Sequence, residues 1–525
     1  MAKNRKKLKV IPLGGLQEIG KNITAFEYGD DIVVVDCGLA FPEDDMLGID
    51  LVIPDVTYLI KNKEKVRGIV LTHGHEDHIG GIPYFLKEIN VPVYGTKLTL
   101  GLLSFKLEEH GLKSVTKLVN VAPGETIHLG VFKIEFIKTT HSIPDSVALA
   151  IHTPVGVVVH TSDFKIDYTP IEGETIDLAR FAELGKKGVL LLMADSTNVE
   201  RPGYTMSERT VGETFDEIFI NAKSRIIVAS FASNVHRIQQ IINSSCKFGK
   251  KVTVVGRSMV NVVKVATELG YLNAPEGTMI DVDQIDRYPS EKVVIITTGS
   301  QGEPMSALSR IAASEHRKIE IEPGDLIIIS ASPIPGNEKS IFKVINELFK
   351  KGADVIYESL AEVHVSGHAC QEELKLIHKL VKPKFFMPVH GEYRHLKQHA
   401  NLANKLGMPM ENIFTGPAQL PTEGPARKNI EGNTPMEDVD ILISNGRILT
   451  LDERDRIIQD GSVAIRDGKI VDLGEKETLQ LRYHGQREID AKGGIVMPGL
   501  INGHTHAAMT CFRGIADDME LLEWL

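Results

Sequence analysis

The segment LTHGHEDHIGG, residues 71–81, constrains the fold and chemistry of this chain most, because it places three histidines and an aspartate within six positions behind an apolar run. The preceding GIVLT is typical of a buried β-strand. His73, His75, Asp77 and His78 then share one loop, where their side chains can converge on one point. Imidazole and carboxylate donors without thiolate suit Zn²⁺ or Mn²⁺ in an open, catalytic site. The segment therefore predicts a metal site at a strand end; a solvated, histidine-rich loop is the alternative.

Several later apolar runs also end in a polar residue. His141 follows FIKTT, Asp163 follows VVVHTS, Asp195 follows VLLLMA, and His390 follows KFFMPV. Ligands and catalytic groups collect where strands end in loops, because the strand positions them and the loop exposes them. Each of these residues alone has a structural alternative, such as a hydrogen-bonded histidine or a turn aspartate. Together they predict one composite site.

Length and composition favour a multidomain protein of the cytoplasm. A chain of 525 residues is expected to form two to four domains, and 42% hydrophobic with 25% charged residues is ordinary for a globular protein. The N-terminus, MAKNRKKLKVIPLGG, lacks the apolar stretch of a secretion signal, and no run of apolar residues is long enough to span a membrane. The four cysteines, at positions 37, 246, 370 and 511, form no CxxC pair, which suits a reducing compartment.

The acidic net charge does not by itself exclude a nucleic-acid substrate. Residues 436–525 hold 10 Lys/Arg and 17 Asp/Glu, so this segment carries −7 and residues 1–435 carry −4 of the total of −11. Phosphate contacts supply most of the affinity for nucleic acid, and a locally basic groove is compatible with this uneven distribution.

The chain divides by its pattern into five parts. Short β-rich runs dominate the first part, strand–helix alternation typical of a parallel α/β domain follows, and a histidine-bearing strand then returns. A Pro/Gly-rich linker precedes a series of short β-hairpins with Asn-Gly and Asp-Gly turns. The predicted boundaries are 1–204, 205–360, 361–415, 416–435 and 436–525.

The HxHxDH pattern after a strand, with further polar side chains at later strand ends, resembles the metallo-β-lactamase fold, an αββα sandwich that binds two metal ions. The resemblance implies two sites that share one carboxylate: His73, His75 and His141; Asp77, His78 and His390; and the bridging Asp163. Five neutral imidazoles and two carboxylates offset only two of the four positive charges of two divalent ions, which leaves a cationic centre suited to a phosphodiester. The expected ions are Zn²⁺, with Mn²⁺ as the alternative.

The α/β insertion narrows the substrate. Seven motifs, taken together, are similar to the ribonuclease J family of β-CASP nucleases over residues 5–415: ADSTNVE (194–200), SFASNVHR (230–237), VVGRSM (254–259), TTGSQGEP (297–304), SASPIPGNE (330–338), HVSGHA (364–369) and PVHGEYRH (388–395). The resemblance implies hydrolysis of RNA in maturation and decay, 5′→3′ from a 5′-monophosphate end, with endonucleolytic cuts also expected. It also implies an RNA partner and a homodimer or homotetramer, and no membrane.

The same resemblance assigns roles to further residues. His368 would protonate the leaving oxygen and Asp195 would orient it. The structural alternatives are hydrogen-bonding support for His368 and an Asx turn for Asp195. The residues expected to bind substrate are Ser230, Ser233, Asn234, His236, Arg237, Arg257, His364, Val365, Ser366 and Gly367. Surface hydrogen bonding is the alternative for each of them.

The C-terminal segment resembles a different family. DILISNGRILT…GSVAIRDGKIVDLG and VMPGLINGHTH are similar to the start of an amidohydrolase of the cytosine or S-adenosylhomocysteine deaminase type, with His504 and His506 as its first metal pair. The later ligands of such a barrel do not follow, so we expect an incomplete, β-rich segment without activity. A natural fusion and a misjoined reading frame both remain open at this point.

Two other functions compete with the ribonuclease prediction. A metallo-β-lactamase-fold hydrolase of small esters would share the metal ligands but would not need the insertion. A non-catalytic RNA-binding protein would not need the complete ligand set.

Overall fold

The structure is a computed structural model. It describes residues 6–42, 46, 48–171, 174–303, 305–333, 337–357, 360–416, 418–420, 437–450, 457–466, 468–476, 479 and 483–496. The chain forms two compact units, Met1–Glu423 and Gly424–Leu525.

The described strands and helices are numbered here in chain order. The strands are β1 (Leu8–Gly14), β2 (Leu16–Gln17), β3 (Ile23–Tyr28), β4 (Asp31–Val35), β5 (Val66–Val70), β6 (Val93–Gly95), β7 (Leu118–Asn120), β8 (Thr126–Leu129), β9 (Phe132–Lys138), β10 (Val147–Thr153), β11 (Gly156–His160), β12 (Leu191–Asp195), β13 (Ile226–Ala229), β14 (Lys251–Val255), β15 (Val293–Thr297), β16 (Leu326–Ile329), β17 (Asp354–Ile356), β18 (Phe385–Val389), β19 (Gly391–Glu392), β20 (Ala418–Leu420), β21 (Glu437–Leu449), β22 (Ile457–Arg466), β23 (Lys469–Glu475), β24 (Tyr483–Asp490) and β25 (Ile495–Val496). The α-helices are α1 (Thr57–Lys61), α2 (Glu76–Ile79), α3 (Ile82–Glu88), α4 (Lys97–Glu109), α5 (Leu178–Lys187), α6 (Arg209–Asn221), α7 (Val235–Lys247), α8 (Arg257–Glu268), α9 (Ala307–Ala312), α10 (Glu338–Lys350), α11 (Gln371–Val381) and α12 (Tyr393–Lys405). Short 3₁₀ helices cover Lys63–Lys65, Val282–Arg287, Ser290–Lys292 and Met410–Asn412.

The first unit contains a four-layered sandwich. One sheet has the order β20-β1-β3-β4-β5-β6-β7 and the other β18-β12-β11-β10-β9-β8. Phe26 and Val33 from the first sheet and Phe136, Leu149 and Met193 from the second belong to one buried cluster. Burying such a side chain contributes about 1.5–3 kcal/mol. Helices α3 and α4 pack on the outer face of the first sheet, and α5, α11 and α12 pack on that of the second. The predicted αββα architecture is confirmed.

A further five-stranded sheet, which is wholly parallel, lies within the same unit and has the order β14-β15-β13-β16-β17. Its strands are almost entirely apolar, as in VVIIT of β15, because a parallel sheet is covered on both faces. Helices α6, α7 and α8 contribute to the core on one side, and α9 and α10 to the core on the other. The predicted α/β insertion is therefore present.

The C-terminal unit contains a small sheet in which β21 pairs with β22, β24 and β25, and β22 pairs with β23. Gly468, with φ of 72°, lies between the antiparallel strands β22 and β23, as the predicted Asp-Gly turn requires. The Asn-Gly turn prediction is wrong at Asn445-Gly446. These residues lie inside β21, where Asn445 has φ of 57° and the register with β22 shifts, so the left-handed conformation there forms an irregularity within the strand. His504 and His506 lie outside the described residues.

Candidate metal centre

The HGHEDH loop links β5 to α2. His75 directly precedes α2 with an extended backbone, and the helix then carries Asp77 and His78. The loop is held closely: a Cβ atom on Gly38 would lie 1.7 Å from the carbonyl oxygen of Asp77, and one on Gly74 would lie 2.8 Å from Leu102 Cδ1. The side chains that follow β5 are thus fixed by backbone packing before any ion is considered.

Asp163 lies at the centre of the site. Its Oδ2 atom is 3.1 Å from His390 Nε2, 3.2 Å from His78 Nε2, 3.7 Å from His73 Nε2 and 3.8 Å from His141 Nε2. Four imidazole nitrogens from three separate parts of the chain therefore surround one buried carboxylate oxygen. This is the position that the sequence predicts for a bridging ligand.

The possible ligand atoms of Asp163, Asp195 and His368 lie within 4.8 Å of one another, and the histidine-rich side chains around Asp163 form two further groups with the same spacing. The groups are His73, His75, His141 and Asp163, and Asp77, His78, Asp163 and His390. His75 turns its Nδ1 atom inward, 3.1 Å from Nε2 of His73 and 3.2 Å from Nε2 of His141. The structure brings together all seven residues that the sequence analysis selects.

Outer hydrogen bonds orient the imidazoles. His78 Nδ1 lies 2.8 Å from Asp36 Oδ2, and His141 Nδ1 lies 2.7 Å from the Gly367 carbonyl oxygen. Donation from Nδ1 to these oxygens leaves the Nε2 lone pairs facing the centre, as metal-ligating histidines require. Sequence reasoning missed Asp36, although it follows the apolar run DIVVV of β4 and so carries the same signal as the ligands.

Three residues at the centre have a left-handed backbone. Asp36, Ser162 and His390 have φ values of 58°, 58° and 55°. Such conformations are uncommon for residues other than glycine, and they cluster at functional sites. Each of the three lies at or directly beside a strand end that supplies the site.

Charge and burial set the protonation of the cluster. Burial lowers the pKa of His73 and His141 well below the ordinary imidazole value. Both rings are therefore uncharged, as a metal-ligating histidine must be. Burial also opposes a charge on His390, but Asp163 and Asp77 outweigh it and raise the pKa of His390 to about 10. Burial would raise the pKa of Asp163, yet His390 and His78 hold it well below its usual value. The carboxylates thus favour positive charge inside the cluster.

The side chains present fit a pair of divalent cations. The donors are buried imidazole nitrogens and carboxylate oxygens, with no thiolate in either group. These atoms converge around Asp163 Oδ2, where the carboxylates favour positive charge. This donor set matches Zn²⁺ and Mn²⁺.

The predicted catalytic pair lies beside this cluster. His368 Nδ1 is 2.7 Å from Asp195 Oδ2, and the His368 ring lies 5.0 Å from that of His141 and 5.5 Å from that of His390. Burial opposes a charge on His368, but Asp195 outweighs it and raises the pKa of His368. The His368 side chain keeps 20% exposure, whereas Asp195 keeps 1%. The histidine therefore faces the open side of the site.

The loop 364–368 packs against the metal cluster. Gly367 touches His141 so closely that a Cβ atom on it would lie 2.6 Å from the ring. Ser366 Oγ accepts a hydrogen bond from Asn198, and Val365 is buried. His364 Nδ1 is buried without a hydrogen-bond partner among the described residues.

Two of the residues after β13 that are predicted to bind phosphate are hydrogen-bonded within the protein. Arg237 is fully buried, where Nε donates to Glu208 and Nη1 donates to Ser330 Oγ and the Val363 carbonyl. Asn234 caps α7 by accepting a hydrogen bond from the Arg237 backbone N–H. These contacts give Arg237 and Asn234 structural roles, and their predicted substrate contacts stay predictions.

The other selected residues of this region are spread over different environments. Ser230 is buried, Ser233 and His236 are partly buried, and Arg257 is exposed at the first position of α8. Burial, with the nearby Lys138 and Lys165, lowers the pKa of His236 to about 4. Their substrate contacts stay predictions.

The sandwich, its parallel insertion and the buried double cluster define a metal-dependent hydrolase of the metallo-β-lactamase fold. Family comparison agrees: residues 17–181 match the metallo-beta-lactamase superfamily, residues 223–348 match the "Ribonuclease J, beta-CASP domain", and residues 352–415 match the "Zn-dependent metallo-hydrolase RNA specificity domain". The chain belongs to the ribonuclease J family and is a metal-dependent ribonuclease.

Similar proteins span different shares of the chain. A ribonuclease J of Synechocystis sp. is 48% identical over 89% of this chain and 74% of its own, and one of Helicobacter pylori is 49% identical over 78% of this chain and 59% of its own. A crystal structure of an Enterococcus faecalis V583 protein of unknown function shares the fold with a TM-score of 0.56, at 19% identity over 75% of this chain and 95% of that one.

The sequence motifs predict that the family resemblance stops at residue 415. The Synechocystis alignment runs over 472 residues, covers 89% of this chain and therefore extends beyond that point. The amidohydrolase resemblance of the C-terminal segment has no counterpart in these comparisons. No helix among the described residues has the length and apolar character needed to span a membrane.

Proposed function

We propose that this ribonuclease degrades RNA in the 5′→3′ direction from a 5′-monophosphate end, and that it also makes endonucleolytic cuts. The observation that carries the proposal is the buried double cluster around Asp163, which opens beside the His368–Asp195 pair. A centre that retains net positive charge suits a phosphodiester, and the adjacent imidazolium suits a leaving alkoxide.

The proposed ligands of one ion are His73, His75 and His141, those of the other are Asp77, His78 and His390, and Asp163 bridges the two. When bound, two divalent ions lower the pKa of water and stabilise the attacking and leaving oxygens of an in-line displacement. We propose Zn²⁺, with Mn²⁺ as the alternative. The residues themselves fix the donor geometry, because Asp36 and the Gly367 carbonyl hold two of the imidazoles from outside.

His368 acts as the general acid in this proposal. A water oxygen attacks phosphorus and gives up one proton to solvent, the bond from phosphorus to the upstream 3′-oxygen breaks, and His368 transfers its Nε2 proton to that 3′-oxygen and regains one from solvent. The downstream RNA then begins with a 5′-phosphate. Asp195 supports the step because it binds Nδ1 of His368 and favours the protonated imidazole.

Three buried polar atoms support a phosphate pocket next to the centre. Ser230 Oγ, Ser332 Oγ and His364 Nδ1 have no hydrogen-bond partner among the described residues. Arg237 ties the surrounding segments together by donating to both Ser330 and the Val363 carbonyl. Buried polar groups are normally paired, so unpaired hydroxyl and imidazole groups on the segments that Arg237 joins favour a polar ligand there.

The test compares one RNA with a 5′-monophosphate and with a 5′-triphosphate, each digested by the metal-loaded wild type and by His75→Ala. We expect the wild type to release nucleoside 5′-monophosphates from the first RNA at least about tenfold faster. His75→Ala should leave both intact. Equal rates on the two 5′ ends would reject the proposed end specificity, and equal digestion by the two proteins would reject the metal centre.

The domain boundaries 204/205, 360/361, 415/416 and 435/436 are part of the proposal. The five-stranded sheet, which begins at Ile226 and ends at Ile356, supports the first two. We further propose that the chain acts as a homodimer or homotetramer in the cytoplasm. Free thiols at Cys37, Cys246 and Cys370 support a reducing compartment.

For residues 436–525 we propose an amidohydrolase-like segment without deaminase activity. The support is the similarity of DILISNGRILT and INGHTH to the start of that family. Incubation of the whole chain with cytosine or S-adenosylhomocysteine should release no ammonia, and metal-dependent release would contradict the proposal. The competing explanation is a region shared with ribonuclease J relatives, and its support is the length of the Synechocystis alignment.

A further inference from the structure

Glu373 is a fully buried carboxylate outside the metal cluster. It lies in the first turn of α11, where Oε2 accepts a hydrogen bond from the Cys370 backbone N–H at 2.8 Å. This capping contact is local and accounts for one of its hydrogen bonds. The remaining contacts reach two distant segments, and capping does not explain them.

The distant contacts join the strand end that carries Asp163 to the junction with the inserted domain. Glu373 Oε1 accepts from the Ile166 backbone N–H at 2.7 Å, three residues after Asp163. Oε2 accepts from the Thr205 backbone N–H at 2.7 Å. One buried carboxylate thus holds a segment next to the metal cluster and the segment that leads into α6.

The same network reaches the proposed general acid. Thr205 Oγ1 lies 2.7 Å from the carbonyl oxygen of His368 and 2.8 Å from Glu373 Oε2, and its single hydroxyl proton serves one of these acceptors at a time, while the Thr205 backbone N–H stays bound to Glu373. Asn198 donates to the same carbonyl at 2.9 Å. The backbone of His368 is therefore fixed on one side by Thr205, which Glu373 fixes in turn.

We propose that Glu373 is a positioning residue for the general acid. It sets the place of His368 relative to Asp163 by holding Ile166, Thr205 and Cys370 at fixed mutual distances. The inference rests on the proposed role of His368 in protonating the leaving 3′-oxygen.

Glu373→Gln tests this with little change in shape. An amide has one acceptor oxygen, so its NH₂ group must face either the Ile166 N–H or the Thr205 and Cys370 N–H groups. A donor facing a donor forces a backbone shift, and a displacement of about 1 Å near a reacting group lowers kcat by about 10²-fold. We expect that loss on ordinary RNA, with unchanged RNA affinity and unchanged metal content.

A modified substrate separates positioning from general damage. In an RNA whose scissile bridging 3′-oxygen is replaced by sulfur, the leaving thiolate needs no proton. Both His368→Ala and Glu373→Gln should then cleave within roughly an order of magnitude of the wild type, because only the general-acid contribution is bypassed. Recovery by His368→Ala but not by Glu373→Gln would overturn the inference and keep the proposed mechanism. No recovery by His368→Ala would overturn the proposed role of His368 itself.

Thr205 and Asp325 supply the controls. If Glu373→Gln does not fold, Thr205→Val removes the hydroxyl between Glu373 and His368 and should show the same recovery, while Thr205→Ser should retain activity on ordinary RNA. Asp325→Asn removes a buried carboxylate that pairs with Arg225 in the parallel sheet domain. It should lower stability without changing the ratio of the rates on sulfur and oxygen substrates; a changed ratio would assign the Glu373 effect to stability and reject positioning.

Discussion

The metal centre and the ends of the parallel strands in the inserted domain are built alike, since polar side chains follow apolar strands in both. At the centre, His78 and His390 turn their Nε2 atoms to within 3.2 and 3.1 Å of Asp163 Oδ2. After β13, by contrast, Arg237 is fully buried against Glu208. The same sequence signal thus gives the proposed metal ligands in one region and side chains paired within the fold in the other.

The difference lies in which partners the chain itself provides. Asp36 binds only Nδ1 of His78, the outer ring nitrogen. Nε2 of His78, the inner ring nitrogen, faces the other proposed ligands. Arg237 finds a carboxylate, a hydroxyl and a backbone carbonyl of its own chain. Arg237 is thus paired with ordinary hydrogen-bond acceptors, whereas at the centre several buried imidazole nitrogens converge on one carboxylate oxygen, and such a convergence of metal-ligating atoms indicates a bound cation.

The largest expected effect is at the centre. His75→Ala removes the donor that lies 3.1 Å from His73 Nε2 and 3.2 Å from His141 Nε2. Because metal activation supplies several kcal/mol of transition-state stabilisation, RNA cleavage should fall at least about 10³-fold. Single-turnover cleavage of labelled RNA measures this, with the exposed His128→Ala as control. Cleavage by His75→Ala within tenfold of the wild type would contradict a functional role for the metal centre.

His368→Ala should come next. Loss of the general acid lowers kcat by about 10²–10⁴-fold, while the metal content and the affinity for RNA stay unchanged. Rapid-quench kinetics gives kcat, and binding of an uncleavable analogue gives the affinity. A variant that loses metal or RNA binding in proportion to its rate would show that His368 supports the site without donating a proton.

Arg237→Met tests the structural role of Arg237 in the inserted domain. It leaves the buried Glu208 without its guanidinium partner, and breaking such a pair costs about 3–5 kcal/mol of stability. Urea unfolding should show this loss, and the double variant Arg237→Met/Glu208→Gln should regain part of it. If the stability were unchanged and the preference for a 5′-monophosphate were lost, the result would instead support the predicted contact between Arg237 and phosphate.

The smallest effect concerns His378 and His399, which bury their imidazoles against each other and Phe386. Burial lowers the pKa of His378 to about 3 and that of His399 well below its usual value. The folded chain therefore stays unprotonated while the unfolded chain binds protons below about pH 6.5, so stability falls as pH decreases. Between pH 7.5 and 5.5 the loss should be on the order of 1 kcal/mol per histidine.

Thermal or urea unfolding at the two pH values measures this dependence. His378→Leu should reduce the acid sensitivity, and His128→Asn should leave it unchanged. An unchanged pH dependence in His378→Leu would contradict the assignment.

Much of the fold and the metal centre could be predicted because the controlling patterns are local. Apolar runs that end in His73, His141, Asp163 and His390 indicate both the strands and the ligands. Glu373 could not be found this way, since its role depends on backbone N–H groups 168 and 207 residues distant in sequence. The burial of Arg237 likewise depends on Glu208, Ser330 and Val363. The local sequence pattern does not show that these distant residues lie next to Arg237 in the fold.

The most direct test of the central claim is a metal titration of the metal-free chain. RNA cleavage, followed while Zn²⁺ or Mn²⁺ is added in fractions of one equivalent, should rise until two equivalents are bound and then stay constant, because we propose His73, His75 and His141 as the ligands of one ion and Asp77, His78 and His390 as those of the other, with Asp163 shared. Full activity at one equivalent, or cleavage by the metal-free chain, would contradict a dinuclear centre.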